Sequence, residues 1–449
     1  MPLSTDKFRQ IARLVLRSTA LVSLLMFSGQ ILMPTHAQTV GGIVPGATSG
    51  EQQSYSSGVK FFGLVWVADD GFGFGPVYTA RGCSTCHSIP NMGGSGAQQV
   101  IHFGTLKPDG SFDPMLSQGG PILQPFTIAK LPGSNQTCAV PGEVLPGSAT
   151  IVSPRQTPAV YGAGLIDAIP DATILANASF EASNPTDQVL GIHGTANMVP
   201  DMVGTIRPGR FGWKGFIVTV MQFTSFAMTH DLSVTNLAYP VEDLPQGNPI
   251  PAGCLNAVYY LGAAGTFNKP NDPDFPTGRV AQSRLTSYLP AYAAPPIPAP
   301  LNATTQAGLN TYNSIGCANC HMNSLQTQAN FAVPLDYPKA IGGTGQSRVS
   351  KALSNQTALL YSDLLIHDMG PGLADGVTDG QATGSQWRTT PLWGLSHKQF
   401  LLHDGRCTGS NAISCAITAH GGEASAVVSN FMALTPTQQA DLLAFLGSL

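Results

Sequence analysis

Two short runs decide how this chain is read: Cys83-Ser84-Thr85-Cys86-His87 and Cys317-Ala318-Asn319-Cys320-His321. Both spell Cys-x-x-Cys-His, the attachment signature of a c-type haem. The spacing follows from the chemistry. Two thiols add to the two vinyl groups of a porphyrin, and the adjacent histidine reaches the iron as proximal ligand. With eight cysteines and ten histidines in 449 residues, composition alone would give about 0.003 such patterns. A zinc site or a redox dithiol would also use paired cysteines, but neither gives His87 and His321 a reason to follow their second cysteine directly. The expected cofactors are therefore two covalently attached c-type haems on Cys83, Cys86, Cys317 and Cys320, with His87 and His321 on the irons.

Outward from these runs the chain repeats itself. Arg155-Gln156-Thr157-Pro158 begins 72 residues after Cys83, and Arg388-Thr389-Thr390-Pro391 begins 71 residues after Cys317. Matched offsets point to an internal duplication. Between the halves, Tyr288 to Pro300 holds five prolines and four alanines and reads as an extended linker. The expected organisation is 1–37 as leader, 38–296 around the first motif and 297–449 around the second. Thr304 to Tyr312 reads as a helix running into Cys317. Near the end, Thr435, Pro436 and Gln438 form a capping-box start, followed by an apolar face at Leu442, Leu443, Phe445, Leu446 and Leu449. Residues 38–80 and 240–290, rich in Gly, Pro and Asn, read mostly as loops.

The leader has its own pattern. Lys7, Arg9, Arg13 and Arg17 precede an apolar run from Ala20 to Met33, and Thr35-His36-Ala37 offers a small-x-small cleavage site. That is a secretory signal peptide, with an uncleaved anchor helix as the alternative. The expected location is periplasmic or otherwise exported, with no stable membrane insertion after cleavage. Without the leader's four bases and Asp6 the net charge falls from −4 to −7. Charged residues make up 10% of the chain, against roughly 25% in typical domains. No basic stripe is available for phosphates, so nucleic acid is excluded as a partner. A hydrophobic fraction of 43% can fill a core. Outside a reducing compartment, Cys138, Cys254, Cys407 and Cys415 are expected in disulfides; Cys407–Cys415 with Cys138–Cys254 is the simplest of three connectivities.

The chain resembles the bacterial di-haem oxidoreductases often labelled thiol oxidoreductases, distant relatives of the di-haem cytochrome c peroxidases. The resemblance is carried by Gly75-Pro76 through His87, QTPAVYGAGLIDAIPD (156–171), GRFGWK (209–214), YSDLLIHDMGPGLADG (361–376), WRTTPLWGL (387–395), HDGR (403–406), HGGEA (420–424) and the terminal Phe445 to Leu449. It implies a mainly α fold of two loop-rich, cytochrome c-like domains, one haem in each. The second haem then transfers electrons and has protein ligands on both faces. His420 falls at the family's second-ligand position, with Met369 as competitor, since cytochromes c commonly use methionine.

Chemistry is expected at the first haem. A peroxidatic haem needs an open or releasable distal position and a carboxylate that moves a proton between the peroxide oxygens. The family usually has Glu-Met-Gly-Ile-Thr-Asn there. This chain has Asp231-Leu232-Ser233-Val234-Thr235-Asn236, which puts Asp231, one methylene shorter, at the Glu position. Asp231 as a helix or turn cap is the plain structural alternative. His230 and His102 are candidate distal ligands. Trp213 resembles the tryptophan that passes electrons between the haems, or is an apolar filler. Trp387 and Trp393 are expected to wall the second pocket. Calcium between the haems, as in some relatives, is a further implication without an acidic cluster here to support it.

Two functions compete. One is a peroxidase-type oxidoreductase that takes hydrogen peroxide as substrate and electrons from an external protein donor. The other is a di-haem carrier between external donor and acceptor proteins, with no substrate site. Relatives that oxidise protein side chains or cleave polymers use the same fold, so fold alone does not choose.

Overall fold

The Gly- and Pro-rich text that reads as loop contains two of the helices that build the first half. In the computed structural model, which describes residues 40–66, 75–131, 138–251 and 278–449 (side chains of the last span from 285), Ser49–Phe62 is a helix. Its sequence is mostly polar, yet Thr48 and Glu51 form a complete capping box that satisfies two of its orphan amides. Gly58 lets it lie directly on the helix Gly278–Tyr292, since a Cβ there would meet the Leu289 backbone. Tyr288 to Tyr292 of the expected linker thus belong to this helix and are core residues; extended chain begins only beyond Ala293. A third helix, Val220–His230, is capped by Thr219 and buries Val220, Met221, Ser225 and Met228.

The expectation of a mainly α fold of cytochrome c-like domains is overturned. The chain is 35% helix and 17% strand, and its strands form one three-stranded and six two-stranded sheets among the described residues. The largest sheet pairs Gly96–Leu106 antiparallel to both Phe112–Asp113 and Ile151–Thr157. Most other strands are two or three residues long. Such strands cannot show a period-two pattern, and distant partners create them.

Around the second motif the local signals hold. Asn302 caps the helix Ala303–Ile315 through Thr305, and Gly316 ends it in the left-handed region with φ +103°, launching the short helix Cys317–Cys320. Thr435 and Gln438 form the capping box of the terminal helix Pro436–Leu446, with Pro436 at its start. The two long helices cross at Gly308, where a Cβ would run into the Asp441 carbonyl. Tyr312, Leu442, Phe445, Leu446 and Leu449 are buried together in the resulting core, and the Tyr312 and Phe445 rings meet edge-on at 5.4 Å.

Cys407 and Cys415 form a disulfide. Cys138 is also disulfide-bonded; its expected partner Cys254, like the leader 1–37, lies outside the described residues. No helix among the described residues is long and apolar enough to cross a membrane.

Candidate functional site

Each Cys-x-x-Cys-His run forms one wall of a large cavity. The first cavity encloses about 2100 Å³ of empty space, mouth included, and the second about 1500 Å³. Both are lined mainly by apolar side chains, as a flat macrocycle requires. Thr157 and Pro158 from the first Arg-x-Thr-Pro run wall the first cavity, and Thr389 and Thr390 from the second run wall the second. In both copies the arginine lies on an antiparallel strand, Ile151–Thr157 or Gln386–Arg388.

The four motif thiols suit attachment rather than exchange. Burial pushes Cys83 and Cys317 up to about 12 and Cys86 up to about 11, whereas thiol–disulfide catalysts depress their thiol pKa. The motif histidines are set up as ligands. His87 Nδ1 lies 3.2 Å from the Gly94 carbonyl, and His321 Nδ1 lies 3.0 Å from that of Tyr361. Burial lowers both to about 4, so each ring is neutral. A proton held on Nδ1 by a carbonyl leaves the Nε2 lone pair for a metal.

On the second cavity's wall, His420 repeats this arrangement: its Nδ1 is 2.5 Å from the Ala416 carbonyl, and burial lowers its pKa. It is close enough to His321 for the two rings to disfavour each other's protonation. Met369 lines the same cavity. So does His367, but its ring nitrogens are taken by Asp363 at 3.0 Å and Glu423 at 2.9 Å. Trp387 is also here, stacked on His403 at 3.8 Å, with the Lys214 ammonium 3.9 Å from its ring centroid. Trp393 lines the first cavity, not the second as the sequence suggested.

The first cavity separates the two distal candidates. His230 is not among its lining residues; it turns to Asp243 at 2.8 Å and packs on Phe226. His102 does line it, and its buried Nδ1 has no hydrogen-bond partner among the described residues. Asp231 occupies the C-cap of the helix Val220–His230, an unfavourable end for a negative charge. Its backbone carbonyl accepts from Thr79 and Ala80, but its buried Oδ1 has no partner. Burial pushes the carboxyl up to about 7. A carboxyl whose Oδ1 has no partner among the described residues and that is pushed up to about 7 is poorly explained by the backbone cap alone.

Trp213 lines both cavities and donates from Nε1 to the Gln156 carbonyl at 2.8 Å. Arg388, Lys398 and Phe400 share that position between the cavities. The sequence hinted at Arg388 through the repeat, but nothing marked Lys398. Among the described residues the one tight His/Cys/Asp/Glu grouping is Cys320, Asp363 and His367. With a single carboxylate, it lacks the oxygen cage calcium takes.

No curated protein matches the chain. A family model described as "Di-haem oxidoreductase, putative peroxidase" matches residues 141–449, a span that begins after the first attachment motif and includes the second. That match covers more than half of the sequence, and the chain therefore belongs to the di-haem oxidoreductase family, with haem as its cofactor and a redox role.

Proposed function

We propose that this protein is an exported di-haem peroxidase that reduces hydrogen peroxide at its first site with electrons received at its second. Cys83, Cys86 and His87 would hold one haem, and Cys317, Cys320, His321 and His420 would hold the other. When bound, the haems supply one-electron redox chemistry, and the first iron supplies the site at which peroxide is reduced. The observation that carries the reading is the unpaired, buried Oδ1 of Asp231 in the wall of the first cavity. A carboxyl poised near pH 7 both takes and returns a proton, as peroxide reduction requires: two electrons and two protons convert one peroxide into two waters. Trp213, reaching both cavities, is the side chain that passes each electron between the sites. An external donor protein supplies those electrons at the second site.

A second reading has its own support. The unpaired Nδ1 of His102 in the same wall suits a second axial ligand, which would close the first site and leave an electron carrier. Electron paramagnetic resonance on the ferric and then half-reduced protein separates the two. The peroxidase reading expects a high-spin ferric signal in at least one state. Low-spin signals alone in both states would overturn it.

A further inference from the structure

The buried cations Arg155, Lys214 and Arg210 are each paired with a carboxylate. Arg155 pairs with Asp375 at 2.9 Å and Asp379 at 2.6 Å, Lys214 with Asp375 at 3.2 Å, and Arg210 with Asp171. Pairing is what burial of charge demands, since an isolated buried ion costs several kcal/mol. Arg388 and Lys398, half-buried in the partition, differ: neither forms an ion pair among the described residues, although Asp363 acts on Arg388 from beyond ion-pair distance. Arg388 donates from Nε to the Gly212 carbonyl at 3.0 Å and from a terminal nitrogen to the Thr389 carbonyl at 3.1 Å. Lys398 donates to the Pro391 carbonyl at 2.9 Å. Burial pulls the guanidinium down to about 10 and the ammonium down to about 8. Both side chains line both cavities.

Two half-buried cations that form no ion pair among the described residues, set in the partition between two macrocycle cavities, call for anions that arrive with the macrocycles. Each haem brings two propionate carboxylates. We infer that Arg388 and Lys398 form one shared anion seat that holds propionates of both haems, so that one pair of side chains sets the potentials of both sites. The inference rests on the di-haem reading. Removing a positive charge beside a haem favours its ferric state and lowers its midpoint potential. A cation serving one haem moves one potential, whereas a shared cation moves two.

The test is a spectroelectrochemical titration of the holoprotein and its Arg388→Gln and Lys398→Gln variants, after a pyridine haemochrome count of bound haem. We expect both midpoint potentials to fall in each variant, by about tenfold in each ferric/ferrous equilibrium, or 59 mV for a one-electron couple. Arg388→Lys and Lys398→Arg, which keep the charge, should stay near the wild type. If Arg388→Gln does not accumulate, Lys398→Gln carries the test alone. Two bound haems with one potential moved, or none, would overturn the shared seat and leave the di-haem reading standing. A wild-type protein that binds fewer than two haems would overturn both.

Discussion

Replacing Asp231 by Asn removes the proposed proton carrier while preserving its shape, and the structure sets the size of two opposite effects. Losing a positioned acid–base group costs about 10²–10⁴-fold in turnover, or roughly 2.7–5.5 kcal/mol of barrier. Stability should move the other way. The carboxyl is raised from its usual 3.8 to about 7 in the fold, so ionising it there is more costly than in the unfolded chain. That cost is absent below about pH 4, grows as pH rises towards 7, and is constant above. At about 1.4 kcal/mol per pKa unit it amounts to on the order of 4 kcal/mol at pH 8. Asp231→Asn should therefore melt higher than wild type at pH 8 and no higher near pH 4. The turnover assay adds a third reading. The carboxyl must be ionised to accept a proton from peroxide, so kcat/KM should rise with pH through about 7 in the wild type and lose that inflection in Asp231→Asn. Steady-state peroxide kinetics over pH 5–9 and calorimetric melts at both extremes check all three. Unchanged turnover with the inflection intact would refute the reasoning, whatever the melting temperature does.

The remaining predictions concern other atoms. His420→Gly should convert the second haem's low-spin ferric spectrum to a changed ligand field while Met369→Leu leaves it alone; the reverse outcome would make Met369 the ligand. Trp213→Phe should keep both haems, judged by their absorption bands, yet slow electron equilibration between the sites after one-electron reduction, read by flash photolysis or stopped flow. Gly308→Ala should destabilise the chain by about 1–3 kcal/mol or more, as overpacking does, because the new methyl meets the backbone of Asp441 rather than a movable side chain; thermal melting measures it.

What the sequence disclosed depended on how local the chemistry was. The Thr435–Gln438 capping box and the entry helix before Cys317 are contained within a few residues, and both were legible. The two-residue strand Val77–Tyr78 owes its conformation to Phe126–Thr127, nearly fifty residues away, so no window of sequence holds its cause. The helix Ser49–Phe62 was hidden by its own composition: of its buried positions Glu51, Ser54, Gly58 and Phe62, only the last is a large apolar residue, so no apolar face marks it. At the site, the Cys-x-x-Cys-His runs were explicit because covalent attachment, as proposed, would fix their spacing. His102 and His230 were inseparable as letters; only the Asp243 contact of one and the cavity-facing position of the other tell them apart. Lys398 became visible only when counted against carboxylates that are distant in sequence and, here, missing.

The partition between the cavities also has a consequence for how the protein is made. Residues 388–400, which help to close the first cavity, emerge some three hundred residues after Cys83–His87; at roughly 5–20 residues per second that is tens of seconds of synthesis. Throughout that interval the first motif has no far wall, whereas the second meets residues 388–400 soon after its own appearance. The molecule thus gives the machinery that delivers cofactor two windows of unequal length, a long one at the site proposed for chemistry and a short one at the site proposed to feed it.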